Sequence, residues 1–95
     1  MGKRITIVSA VWCPSCLILK KHIKKISEEY QDIEIKYLDY DLDEEDVLKL
    51  NVGDKLPVII AYQSDNEINR LIGEKTYEEI VEFIKESGLV WERKL

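Results

Sequence analysis

"VWCPSC", residues 11–16, holds both cysteines of a 95-residue chain and joins two segments of different hydrophobic period. Before it, "ITIVSAV" (5–11) is a short run of β-branched and small residues, the pattern of a buried strand ending near residue 10. After it, Cys16, Leu19, Ile23, Ile26 and Tyr30 recur at helical spacing, with Lys20, Lys21, Lys24 and Lys25 between them. Pro14 suits the first turn of that helix, where its missing N–H leaves no helical bond unmade. The motif is therefore expected at a strand-to-helix junction.

That placement limits what the cysteines can do. A bridge across two intervening residues closes a loop too short to constrain the unfolded chain strongly, so a structural staple is a weak reading. A reducing cytosol disfavours permanent disulfides in any case, which leaves reversible chemistry or metal ligation. At a helix start, unpaired backbone N–H groups and the positive end of the helix dipole stabilise a sulfur anion, making Cys13 the expected nucleophile. Cys16, three residues on along the same helical face, is placed to close a disulfide with it and resolve an intermediate. Trp12 flanks the reacting sulfur. Its ring offers either an apolar contact for a target or a cover for the strand end.

Working outward, "DIEIKYLDYD" (32–41) alternates Ile33, Ile35 and Tyr37 on one face and reads as a second strand. "DEEDVLKLN" (43–51) reads as a short helix with an acidic start, closed near Asn51, Val52 and Gly53. Two apolar strands follow, around 57–62 and 67–72, parted by the turn residues Gln63 to Asn66, so a hairpin is expected. Thr76 with Glu79 forms a capping-box signature. Tyr77, Ile80, Val81 and Ile84 then give a last helix an apolar stripe ending near Gly88. Trp91, in the terminal "LVWERKL", is a candidate for docking the tail.

Length and 45% hydrophobic content suit one small domain over residues 1–95, too short for two cores. A net charge of -5 argues against nucleic acid as a partner, since phosphate binding needs a concentrated basic surface. No apolar run approaches the roughly 20 residues that span a bilayer, and the N-terminus shows no signal-peptide core, so no membrane association and a cytoplasmic address are expected. Met1-Gly2 formally permits myristoylation, but an ordinary start before a strand explains it more simply.

With "WCPSC" after a strand, "LP" at Leu56-Pro57 opening a hairpin strand, and Gly73 following it, residues 4 to 87 resemble the thioredoxin superfamily. The resemblance implies an α/β, thioredoxin-like fold of β-α-β-α-β-β-α order, with a four-stranded mixed sheet flanked by helices. It also implies a protein-disulfide reductase without a bound cofactor. Pro57 is expected to be cis and to face the dithiol, with Leu56 and Pro57 forming a substrate-side wall together with Gly73. From the residues alone, a plain edge-strand proline is the alternative. Trp12 is thioredoxin-like, whereas Pro14 directly after the first cysteine, and the absence of a preceding strand and helix, resemble glutaredoxins. Ser15 completes the pair of residues inside the motif that must influence its potential.

Two positions depart from the thioredoxin pattern. A buried acid usually lies six residues before the nucleophile, where this chain has Ile7, and the lysine across the sheet from it becomes Tyr37. The replacements agree with each other, since without the acid a buried cation has no partner. Tyr37 thereby becomes a candidate for moving the Cys16 proton. "IGEKTYEE" (72–79) keeps Gly73 but lacks the second glycine of the glutaredoxin glutathione signature. Expected partners are thus disulfide-containing proteins and, as electron donor, either a thioredoxin-reductase-type flavoprotein or glutathione, with the chain acting as a monomer.

Two other classes stand beside this one. A metal site on Cys13, Cys16 and His22 lacks a fourth ligand, and His22 lies six residues beyond Cys16, too far along one helix to share an ion; it reads as a solvated helix residue. A non-catalytic interaction domain would retain the fold and hold a partner without using the thiols.

Overall fold

The computed structural model describes residues 2–89; the docking expected of Trp91 lies outside them. Seven elements follow the expected order: β1 (Lys3–Ser9), α1 (Pro14–Glu29), β2 (Glu34–Asp39), α2 (Glu44–Lys49), β3 (Val58–Gln63), β4 (Asn66–Ile72) and α3 (Tyr77–Glu86). The sheet runs β2-β1-β3-β4. β1 pairs parallel with β2 and antiparallel with β3, and β3 pairs antiparallel with β4, so the sheet is mixed.

The sequence of the two central strands explains their place. β3 is apolar almost continuously and β1 is buried without a break from Ile5 to Val8, as strands covered on both faces must be. Ile5, Ile7, Ile59 and Ala61 point to one face, where Leu19, Ile23 and Ile26 of α1 and Ile80, Phe83 and Ile84 of α3 cover them. Val8, Val58, Ile60 and Tyr62 point to the other, against Val47 of α2 and Leu38. Phe83 belongs to the buried stripe of α3 although the periodic reading of that helix began from Tyr77, Ile80, Val81 and Ile84.

β2 departs from the alternation expected of it. Ile33 is buried but precedes the strand, Ile35 is half-buried, and Tyr37 is 44% exposed. An edge strand with a helix over only part of its face leaves room for such residues. Thr76 and Glu79 make the capping box in full: Glu79 N–H donates to Thr76 Oγ1 at 3.1 Å and Thr76 N–H donates to Glu79 Oε1 at 2.8 Å. At the other end of α3, Gly88 takes a positive φ of 74° and Leu89 N–H returns to the Ile84 carbonyl, closing the helix.

Candidate active site

β1 ends at Ser9, and a tight turn in which Cys13 N–H donates to the Ala10 carbonyl at 3.2 Å delivers the chain into α1. Cys13 takes the N-cap position in extended conformation, with no side-chain cap of its own, and Pro14 opens the helix. Cys16 N–H donates to the Cys13 carbonyl at 3.1 Å, folding the second cysteine back under the first. Both are free thiols, and both are largely buried, Cys13 at 6% and Cys16 at 2% exposure.

Around them, Ala10 packs with the two sulfur-bearing residues, and Leu56 and Tyr40 close over that cluster. The Leu56–Pro57 peptide is cis, and Pro57 leads into β3, a central strand, so the edge-strand alternative for this proline does not describe the fold. Gly73 N–H donates to the Pro57 carbonyl at 2.9 Å, tying the β4–α3 connection to the proline. The structure thus brings Cys13, Cys16 and Leu56 into one cluster, with Pro57 and Gly73 bonded behind it.

Burial, then the hydrogen bond to Cys13, pushes the Cys16 thiol up to about 11; the Ala10 backbone and the Lys20 charge pull weakly the other way. Cys16 is therefore a thiol at neutral pH, packed beside Cys13. Lys20, one turn beyond Cys16 on α1, is the charged side chain acting on it, and it shares an open groove with Ser9, Tyr37, Leu38, Asp39 and Asp43. Tyr37 lies opposite Ile7 in the sheet register, as the sequence resemblance implies. Its ring is turned largely outward into that groove, and its hydroxyl is not among the groups acting on Cys16. Burial raises the Tyr37 phenol above its ordinary value.

Three residues of the site, Tyr40, Asp41 and Glu74, escaped the sequence reading. Trp12, 58% exposed, donates from Nε1 to Asp41 Oδ2 at 2.8 Å and meets the Tyr40 ring edge-on with centroids 6.2 Å apart. Tyr40 is itself pinned, its N–H donating to the Ser9 carbonyl at 2.7 Å. Ser15 Oγ donates to Glu74 Oε1 at 2.9 Å, across the gap between α1 and the segment after β4. Asp41 and Glu74 look in sequence like two more surface acids, and only the topology brings them to the motif. His22 is half-buried beside Tyr77, with ring centroids 6.0 Å apart, rather than freely solvated. Among the described residues no three potential ligands converge as a metal site would require. Nor is any described helix long and apolar enough to cross a membrane.

A dithiol at a helix start beneath a central strand, faced by a cis-proline segment, defines a thiol–disulfide oxidoreductase site on a thioredoxin fold. The sequence profile of the thioredoxin family matches residues 3–86, and the chain belongs to that family. No curated protein sequence matches the chain. Solved structures do. A malarial protein superposes with a TM-score of 0.83 at 22% identity, covering 92% of this chain and 98% of that one. Thioredoxin-2 of the malaria parasite, described as a component of its protein secretion machinery, gives 0.82 at 22% identity, with 90% and 82% covered. Mitochondrial thioredoxin 3 of Saccharomyces cerevisiae, in its oxidised form, gives 0.82 at 21%, with 90% and 78% covered. At such identities the likeness is one of fold.

Proposed function

We propose that this chain is a cytoplasmic protein-disulfide reductase that works by dithiol exchange through Cys13 and Cys16. The observation that carries the reading is the packing of Cys13 and Cys16 together at the start of α1, with Leu56 packed against their cluster. The Cys13 thiolate attacks one sulfur of a target disulfide, forming a mixed disulfide and releasing the other target sulfur as thiolate. Cys16 then attacks the Cys13 sulfur, closing the intramolecular disulfide and releasing the second target sulfur, so two electrons pass to the target.

The structure supplies a reason for this order. Besides burial, what holds the Cys16 proton in place comes from Cys13. Once Cys13 is bonded to the target, its hydrogen bond and its like charge no longer hold the Cys16 proton, which leaves more readily for the departing thiolate or for water. Lys20, on the groove side, favours the anion that results. Trp12 and Leu56 present the apolar surface on which a target segment lies, with Pro57 and Gly73 holding Leu56 in place.

Insulin-disulfide reduction tests the reading, run with NADPH plus a thioredoxin-reductase-type flavoprotein and, separately, with NADPH plus glutathione and its reductase. Turnover that disappears in Cys13→Ser is expected, with the flavoprotein as the effective donor because the glutathione signature is incomplete around Gly73. Absence of cysteine-dependent turnover with either donor would favour the interaction-domain reading instead.

A further inference from the structure

The CPSC motif follows β1, the strand between β2 and β3, while Asp41 follows β2 and Glu74 follows β4, so the two carboxylates reach the motif from opposite sides. Each is fixed by a hydrogen bond to a side chain of the motif region, Asp41 by Trp12 at 2.8 Å and Glu74 by Ser15 at 2.9 Å. Neither forms an ion pair among the described residues, where the three pairs are Lys3 with Asp32, Arg4 with Asp65, and Arg70 with Glu67. Ser15 lies between the cysteines, so the Glu74 charge is bound to the motif itself. His22 and Lys75 line the adjoining groove of about 600 Å³, and neither makes a hydrogen bond to the motif among the described residues; Lys20, whose charge reaches Cys16, lines the separate groove beside Tyr37.

A helix N-terminus by itself attracts anions. Here a carboxylate held at its mouth opposes that attraction for any molecule approaching Cys13. We propose that Glu74 is a specificity-determining residue that selects the disulfides reacting at this site by charge, favouring cationic ones and disfavouring anionic ones, small acidic thiols and their disulfides included. The inference rests on the exchange chemistry proposed above and deepens it: the substrate class is a disulfide flanked by basic groups. Charges at the rim of a site act chiefly on the encounter rate and fade as salt rises.

The test is a single turnover of the reduced protein with three small disulfides of similar size: cystamine, which is cationic; bis(2-hydroxyethyl) disulfide, which is neutral; and dithiodipropionate, which is anionic. In each case the protein dithiol supplies both electrons, ending as the Cys13–Cys16 disulfide while the reagent leaves as two thiols. Glu74→Gln keeps an acceptor for Ser15 and removes only the charge. The ratio of cystamine to dithiodipropionate rates, each normalised to the neutral reagent, is expected to exceed one in the wild type at low ionic strength. It should fall about threefold to tenfold in Glu74→Gln, and further in Glu74→Lys, and the difference should shrink as salt is added. A normalised ratio that stays within about twofold of the wild type in Glu74→Gln at low salt overturns the assignment. Failure of the underlying reading looks different, because the neutral reagent would then show no Cys13-dependent reaction at all.

Discussion

Cys16 is the residue whose chemistry the fold alters most. Its thiol is raised from 9.0 to about 11 by burial first and by Cys13 second. A thiol held protonated by the fold stabilises the reduced protein fully below its ordinary value, and that contribution is lost as pH rises through about 11. Thermal melts of the reduced protein should therefore decline between pH 9 and about 11, and Cys16→Ala should show a shallower decline over the same window. Removing Cys13 separates the two causes: in Cys13→Ala, thiolate ultraviolet absorbance should titrate at a value below about 11 yet above 9.0, because burial remains. A titration still centred near 11 would show that Cys13 contributes nothing to holding the proton. The placement of the two cysteines was legible in the sequence because it is local: a proline at the helix start and a three-residue step put both sulfurs at one end of one helix. Asp41 and Glu74 were not legible, since they lie 29 and 59 residues from the side chains they hold, in a chain where 35% of residues are charged. Tyr37 was half legible. Its register opposite Ile7 follows from the family pattern, but the outward turn of its ring follows from β2 being an edge strand.

Among the elements, α3 owes most to its first turn. Its capping box satisfies two backbone N–H groups reciprocally and follows directly from Thr76 and Glu79 at the right spacing. Thr76→Ala should cost about 1 kcal/mol in urea unfolding, and a loss within error of zero would mean the box is redundant with packing by Ile80 and Ile84. The connection before it is tied to the site. Gly73 has a φ of 94° that an L side chain rarely adopts, although an added methyl group would meet nothing within 4 Å. The cost of Gly73→Ala is accordingly one of backbone conformation, about 1–2 kcal/mol. If the segment relaxes instead, Gly73 N–H withdraws from Pro57 and Glu74 from Ser15, so disulfide reduction should slow even where the melting temperature is restored by cooler conditions. The central strands were readable as continuous apolar runs, and the hairpin from its polar turn. β2 was placed correctly as a strand but with the wrong interior, because alternation alone does not say how far a neighbouring helix extends over an edge.

At the scale of the whole molecule, the replacement of a buried acid by Ile7 has been absorbed by the core. Ile7 is fully enclosed in the apolar cluster that includes Leu19, Ile23, Ile59 and Ile80. Ile7→Asp should cost about 3–5 kcal/mol, read from denaturant midpoints at neutral pH, and a smaller loss would indicate that water already reaches this position. The same sheet that encloses Ile7 also separates the molecule into two poles. β1 runs toward the dithiol and β3 runs away from it, so the β3–β4 turn, together with Gly2, to whose carbonyl Ser64 N–H donates at 2.8 Å, lies at the end remote from Cys13. Asp65 at that turn is fully exposed. A linker attached there would leave the dithiol end of the molecule turned toward the open solution, which makes this turn the natural handle for fixing the protein to an electrode or a bead with its chemistry outward.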